Sequence, residues 1–177
     1  MTNSSAPVPT PTLKRRLICM VYEAFLLLAV EALSLTIFTL ATGARHTPTI
    51  DRGAQFVFFL TAAAYFIHFW TSSGFTLAMK TWRIKLVKVG YPKVPVRVAA
   101  VRFLCAWGWF LPGLAACYVF QLRPDNRYFS VAIGLGMLAW GLTAFLDKDR
   151  QFLHDRLAGT RLIQLPKPEK KAKAATA

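Results

Sequence analysis

The sequence predicts an all-α membrane protein: four transmembrane helices, both termini cytoplasmic (N-in/C-in), and a small cytoplasmic β element. Three observations lead there. First, 55% of the 177 residues are hydrophobic, and they gather into four blocks instead of spreading as in a soluble core. Second, the blocks, about 17–41, 55–71, 103–121 and 129–146, match or approach the roughly 17 to 25 residues that a spanning helix needs. Third, the cations alternate in density between successive connections. Eighteen of the 22 Lys and Arg residues lie before block one, between blocks two and three, or after block four. The other four are Arg45, Arg52, Arg123 and Arg127. This is the positive-inside distribution for four crossings.

The net charge of +14 would point to nucleic acid in a soluble chain. Here its placement is topological, so no nucleic-acid partner is expected. The expected partners are the lipid bilayer and its anionic headgroups. Block one has a basic mouth, Lys14-Arg15-Arg16. Its apolar run exceeds the roughly 7–15 residues of a signal-peptide core, so it reads as a retained span. Cys19, Cys105 and Cys117 all fall in predicted spans with no metal-ligand spacing. They read as small apolar packing residues, and no metal or cofactor is expected.

Along the chain, residues 1–12 are rich in Pro, Ser and Thr and read as a disordered tail. Residues 166–177 read as a basic disordered tail, which leaves 13–165 as the membrane domain. Block two is short and aromatic, with Phe56, Phe58, Phe59, Tyr65, Phe66, Phe69 and Trp70. Taken alone it also fits a buried soluble helix or a re-entrant piece; the charge pattern selects a crossing. The connection 72–102 contains Trp82–Val89, where basic and apolar residues nearly alternate, the period of a strand with one wet face. Gly90-Tyr91-Pro92-Lys93 reads as a turn. Residues 160–165 form a second short strand pattern. A lone strand leaves its edges unpaired, so 82–89 is predicted to pair with 160–165. The alternative is a basic amphipathic segment lying on the headgroups. Pro112 in block three, and Gly134, Gly136 and Gly141 in block four, permit a kink or close helix contact.

Two carboxylates, Glu23 and Glu31, interrupt the first span. Charge at membrane depth is costly and marks a protein interior or a water-filled cavity. Arg16 and Glu23 are seven residues apart, so they share nearly one helix face. Glu23 lies about 9 Å inside the cytoplasmic edge, and Glu31 about 12 Å deeper and about 80° round. His68, near the cytoplasmic end of span two, matches Glu23 in depth. His154-Asp155-Arg156 follows span four at the same face. Arg16, Glu23, His68 and Asp155 are therefore expected to converge, either as a site that handles a proton or cation or as a polar clamp on helix one.

These residues resemble a known pattern. The chain is similar to the RDD family of bacterial integral membrane proteins, named for one arginine and two aspartates. Arg16 matches the arginine, Glu23 stands where the first aspartate is expected, and Asp155 matches the second, in His154-Asp155-Arg156-Leu157-Ala158-Gly159-Thr160. Gly74-Phe75-Thr76-Leu77-Ala78-Met79-Lys80 looks like the family's central Gly-x-Thr-Leu-Gly-x-Lys segment, with Ala78 in place of its usual glycine. The resemblance covers about residues 13–165. It implies a bacterial inner-membrane location, an RDD-type polar site of Arg16, Glu23 and Asp155, and a role for which transport has been proposed. Supporting positions are Glu31, His68, Lys80, His154 and Arg156.

No zinc spacing, phosphate-binding glycine loop or nucleophile motif is present in the sequence, so an enzyme is not expected. The expectation is transport of an ion or small solute with an intramembrane carboxylate, four short helices implying a homo-oligomer. The alternative is a non-catalytic scaffold or accessory subunit that binds a membrane-protein partner or anionic lipid.

Overall fold

A computed structural model describes residues 9–45, 47–147 and 151–166. Among them, four helical spans are long and apolar enough to cross a membrane. Helix α1, Leu13–Ala41, is capped by Thr12, whose hydroxyl accepts from the Arg15 N–H. Its 29 residues reach about 44 Å at 1.5 Å per residue. That exceeds a hydrocarbon core of about 30 Å, so α1 extends beyond the apolar layer.

A turn with Gly43 and Ala44 at positive φ reverses the chain into α2, Pro48–Ser72. This helix starts well before the predicted residue 55. Thr47 caps it through the Ile50 N–H, and Pro48 occupies the first turn, where its missing N–H costs nothing. Asp51 and Arg52 hid that turn from a hydropathy reading. The two helices approach closely where the Phe38 ring lies over Gly53.

The third span, Val96–Val119, is built in three pieces. Helix α4, Val96–Ala106, leads through a 3-10 turn at Trp107–Phe110 into α5, Leu111–Val119. Pro112 sits in the first turn of α5; it cannot donate to the preceding turn, and the tighter turn stands there. The predicted start at 103 is corrected to 96. Pro95, in extended conformation, precedes the helix, and Arg97 and Arg102 belong to its first three turns. The fourth span is α6, Arg127–Leu142, closed by a 3-10 turn at Thr143–Leu146. Glycine allows α5 and α6 to touch backbone to backbone. A Cβ on Gly136 would lie 2.2 Å from the Gly113 nitrogen, and one on Gly113 2.6 Å from the Ile133 Cα.

Between α2 and α4 lie the short helix α3, Leu77–Thr81, and strand β1, Ile84–Val87. After α6 come helix α7, Leu153–Leu157, and strand β2, Arg161–Gln164. The predicted pairing is present: β1 and β2 are antiparallel, with Ile84 opposite Gln164 and Val87 opposite Arg161. The strands are shorter than predicted, since Arg83 adopts positive φ just before β1. Ile84 and Leu86 are buried on one face, as period-two alternation requires. They join Trp70, Met79, Ala99 and Phe103 in the core.

The first chain segment closes this end of the bundle. The Gln164 N–H donates to the Pro9 carbonyl at 2.8 Å, and Pro11 is buried. Residues 9–12 thus belong to the fold, unlike the disordered tail expected there, because β2 offers an open edge for them. Expected tail residues 1–8 and 167–177, and Lys148, Asp149 and Arg150, lie outside the described residues.

Candidate functional site

Glu23 projects from the inner face of α1. The Tyr65 hydroxyl of α2 donates to its Oε1 at 2.6 Å, and the Thr76 hydroxyl donates to its Oε2. Thr76 is itself buried and caps α3 by accepting from the Met79 N–H. Gly74 sets the position of Thr76. It has φ +79°, and a Cβ there would meet the Leu86 carbonyl oxygen at 2.8 Å. The Leu86 N–H in turn donates to the Gly74 carbonyl. Glycine is required for both reasons, conformation and close approach. Ala78, in place of the expected second glycine, is buried with room for its methyl. The central motif therefore presents one hydroxyl to Glu23.

Asp155 is fully buried, at 0% exposure. Its partner is Arg102 of the third span: Nε and NH2 each lie 2.8 Å from Oδ1. The same guanidinium stacks 4.1 Å over the Trp70 ring, and its charge reaches Glu23 as well. Asp155 is positioned by α7. The helix ends at Gly159 with φ +62°, and the Thr160 N–H and hydroxyl both donate to the Asp155 carbonyl. Gln151 ties this segment to β2, accepting from the Leu162 N–H and donating to its carbonyl.

His154 stacks on Phe152, and its Nε2 lies 3.5 Å from Arg102 NH2 and 3.6 Å from Asp155 Oδ2. Burial pushes its pKa down to about 4, against the opposing pull of Asp155. The imidazole is thus neutral at physiological pH. Arg16 is buried with its guanidinium 4.5 Å over the Phe152 ring. Helix one is therefore clamped to the C-terminal segment through an arginine on an aromatic face.

Arg16, Glu23, Arg102 and His154 all line one cavity of about 420 Å³. Apolar side chains such as Leu27, Ala62, Phe66 and Phe103 make most of its wall. The expected grouping of Arg16, Glu23 and Asp155 is therefore one neighbourhood, with Asp155 behind His154. His68 is a correction. It is exposed and packs edge-on to Phe69, because it lies about 200° round α2 from Phe66. Lys80 is exposed on α3. Arg156 is about half exposed and lies 3.4 Å from Asp147. Glu31 is buried away from the cavity, with one oxygen accepting from the Ser34 hydroxyl. Sequence reasoning missed Tyr65, Thr76 and Arg102 as site residues. Thr76 stands inside the central motif; in the sequence Arg102 is simply one of the seven cations between blocks two and three. Among the described residues, no three His, Cys, Asp or Glu side chains gather as metal ligands.

Four membrane-length helices around buried charged groups define a multi-pass membrane protein. The chain belongs to the RDD family, whose sequence profile matches residues 10–159. No curated protein and no solved structure matches it.

Proposed function

We propose that this protein sits in the bacterial inner membrane with both termini cytoplasmic, and moves an ion or small solute without covalent chemistry. The observation that carries the reading is the placement of Glu23 in the wall of a cavity between the spanning helices. A spanning helix needs no buried carboxylate to anchor itself, and such groups mark pathways. Tyr65 and Thr76 fix the carboxylate, and Arg102 supplies a counter-charge nearby. The basic β1–β2 end faces the cytoplasm in this reading, as the positive-inside rule requires, and binds anionic headgroups. A homo-oligomer completes the pathway that four helices alone enclose poorly.

The test is solute and ion flux into liposomes containing the purified protein. Flux in the wild type and none in Glu23→Gln, at comparable thermal stability, is the expected result. No flux across a broad ion and solute panel, with folded protein, sinks the reading. A second reading, a scaffold for a membrane-protein partner, is favoured by the complete burial and pairing of Asp155. It expects Glu23→Gln to alter partner capture or stability and leave no flux to lose.

A further inference from the structure

The cavity beside Glu23 is a slot. On α1 it is lined by Arg16, Cys19, Met20, Glu23, Ala24 and Leu27, spacings that trace one face of the helix over three turns. On α2 it is lined by Phe58, Ala62, Phe66 and Trp70, each four residues from the next. The two stripes run side by side, because α1 and α2 pack against each other. Phe103 and Trp107 of the third span form a further wall. The cavity therefore runs along the helices. Arg16 and Leu27 are about 16 Å apart along α1 at 1.5 Å per residue. A volume of about 420 Å³ spread over that length leaves a section about 5 Å across.

Those dimensions select the occupant. An α-helix is about 10–12 Å in diameter with its side chains, so no helix of a second copy enters. A single hydrocarbon chain does, since carbon atoms pack about 3.5–4.0 Å apart. Half of the roughly 30 Å hydrocarbon core is about 15 Å. That is the reach of one lipid tail, and it matches the slot. The slot also opens to the bilayer. Met20, Phe58, Trp107 and Phe110 line it, yet each is more than a third exposed. They sit on helices apolar enough to cross a membrane, so their exposed surface meets acyl chains.

The wall rewards a chain and is indifferent to a head. Apolar side chains make most of it, and an apolar chain gains along its whole length. Its charges are matched within the fold. Asp155 holds Arg102, Tyr65 and Thr76 donate to Glu23, and Arg16 lies over Phe152. The charges of Arg16 and Arg102 cancel those of Glu23 and Asp155, so the wall favours neither sign of headgroup.

We propose that the slot holds one acyl tail of a bilayer phospholipid, lying parallel to the helices and alongside Glu23, and chosen by its chain rather than by its headgroup. The inference concerns what fills the cavity and holds with or without solute flux.

Three tryptophans, Trp70, Trp107 and Trp109, line the slot, so bromine on a bound tail quenches their fluorescence. The probes are phosphatidylcholine and phosphatidylglycerol, each with one dibrominated tail, titrated into the full-length protein in detergent. Saturable quenching that the unbrominated lipid displaces is expected. The zwitterionic and anionic lipids should half-saturate within about threefold of each other, because a hydrogen bond from the wall to a charged head would add about tenfold or more. Ala24→Phe puts a ring into the slot from its exposed side, and Ala106→Phe does so from the third span. Either should weaken binding about tenfold or more, the worth of two displaced methylene groups. Leu138→Phe, on an exposed face of α6 outside the slot, should change nothing. Thermal midpoints show which variants are folded; if neither slot variant folds, the wild-type titrations still decide. Non-saturable quenching, a preference of about tenfold or more for one headgroup, or undiminished binding in a folded Ala24→Phe or Ala106→Phe protein overturns the inference.

Discussion

Removing the Asp155 charge is the sharpest test of how the site is held. Asp155→Asn leaves Arg102 buried, with its guanidinium over Trp70 and no anion on its Nε and NH2. Breaking one side of a buried pair costs about 3–5 kcal/mol, mostly the penalty of the stranded charge. The Trp70 contact survives and retains about 0.5–2 kcal/mol of cation–π attraction, which places the expected loss near the lower end, about 3 kcal/mol. Arg102→Met loses a similar amount by stranding Asp155. The double variant strands nothing, so the two losses should not add. A coupling of about 2 kcal/mol is expected, well above the roughly 0.5 kcal/mol of independent sites. The assay is equilibrium unfolding of the four proteins in mixed micelles, with denaturing detergent as the variable. Additive losses would refute the pairing.

Three other perturbations test separate parts of the account. Gly136→Ala forces a methyl into the Gly113 backbone and should cost about 1–3 kcal/mol, read as a lower midpoint in the same titration. Thr76→Val keeps the shape but removes the hydroxyl that Glu23 accepts from and that caps α3; about 1–3 kcal/mol should be lost. Because burial lowers the His154 pKa from 6.5 to about 4, the unfolded chain binds more protons between those values. Its contribution is therefore complete above about pH 6.5 and declines as pH falls towards 4, by roughly 3 kcal/mol in all. The difference between wild type and His154→Gln, followed from pH 7 to 4.5, should show that decline in the wild type alone.

The four spans were legible because block hydropathy and cation placement report the same crossings. Their edges were not, because caps and paired charges stand at the ends. Asp51 and Arg52 break the apolar run of α2 without breaking its helix, and Arg102 breaks that of the third span although Asp155, distant in sequence, pairs with it in the fold. The β pairing was readable from alternation and from the need to satisfy strand edges. In the site, seven-residue spacing placed Arg16 and Glu23 on one wall. Depth alone misplaced His68, since depth along a helix says nothing of direction around it. The Arg102–Asp155 pair spans 53 residues, a separation that no local pattern encodes. Tyr65 carried no signal apart from being a polar tip in an aromatic helix.

The central claim is that Glu23 works in transport rather than in holding the bundle together. Flux and thermal midpoint measured on the same Glu23→Gln preparation address it directly. Gln keeps a carbonyl for Tyr65 or Thr76 to donate to, so the midpoint should stay within a few degrees, the shift that a loss of about 1 kcal/mol produces. Flux should vanish. Undiminished flux in that folded variant would contradict the account.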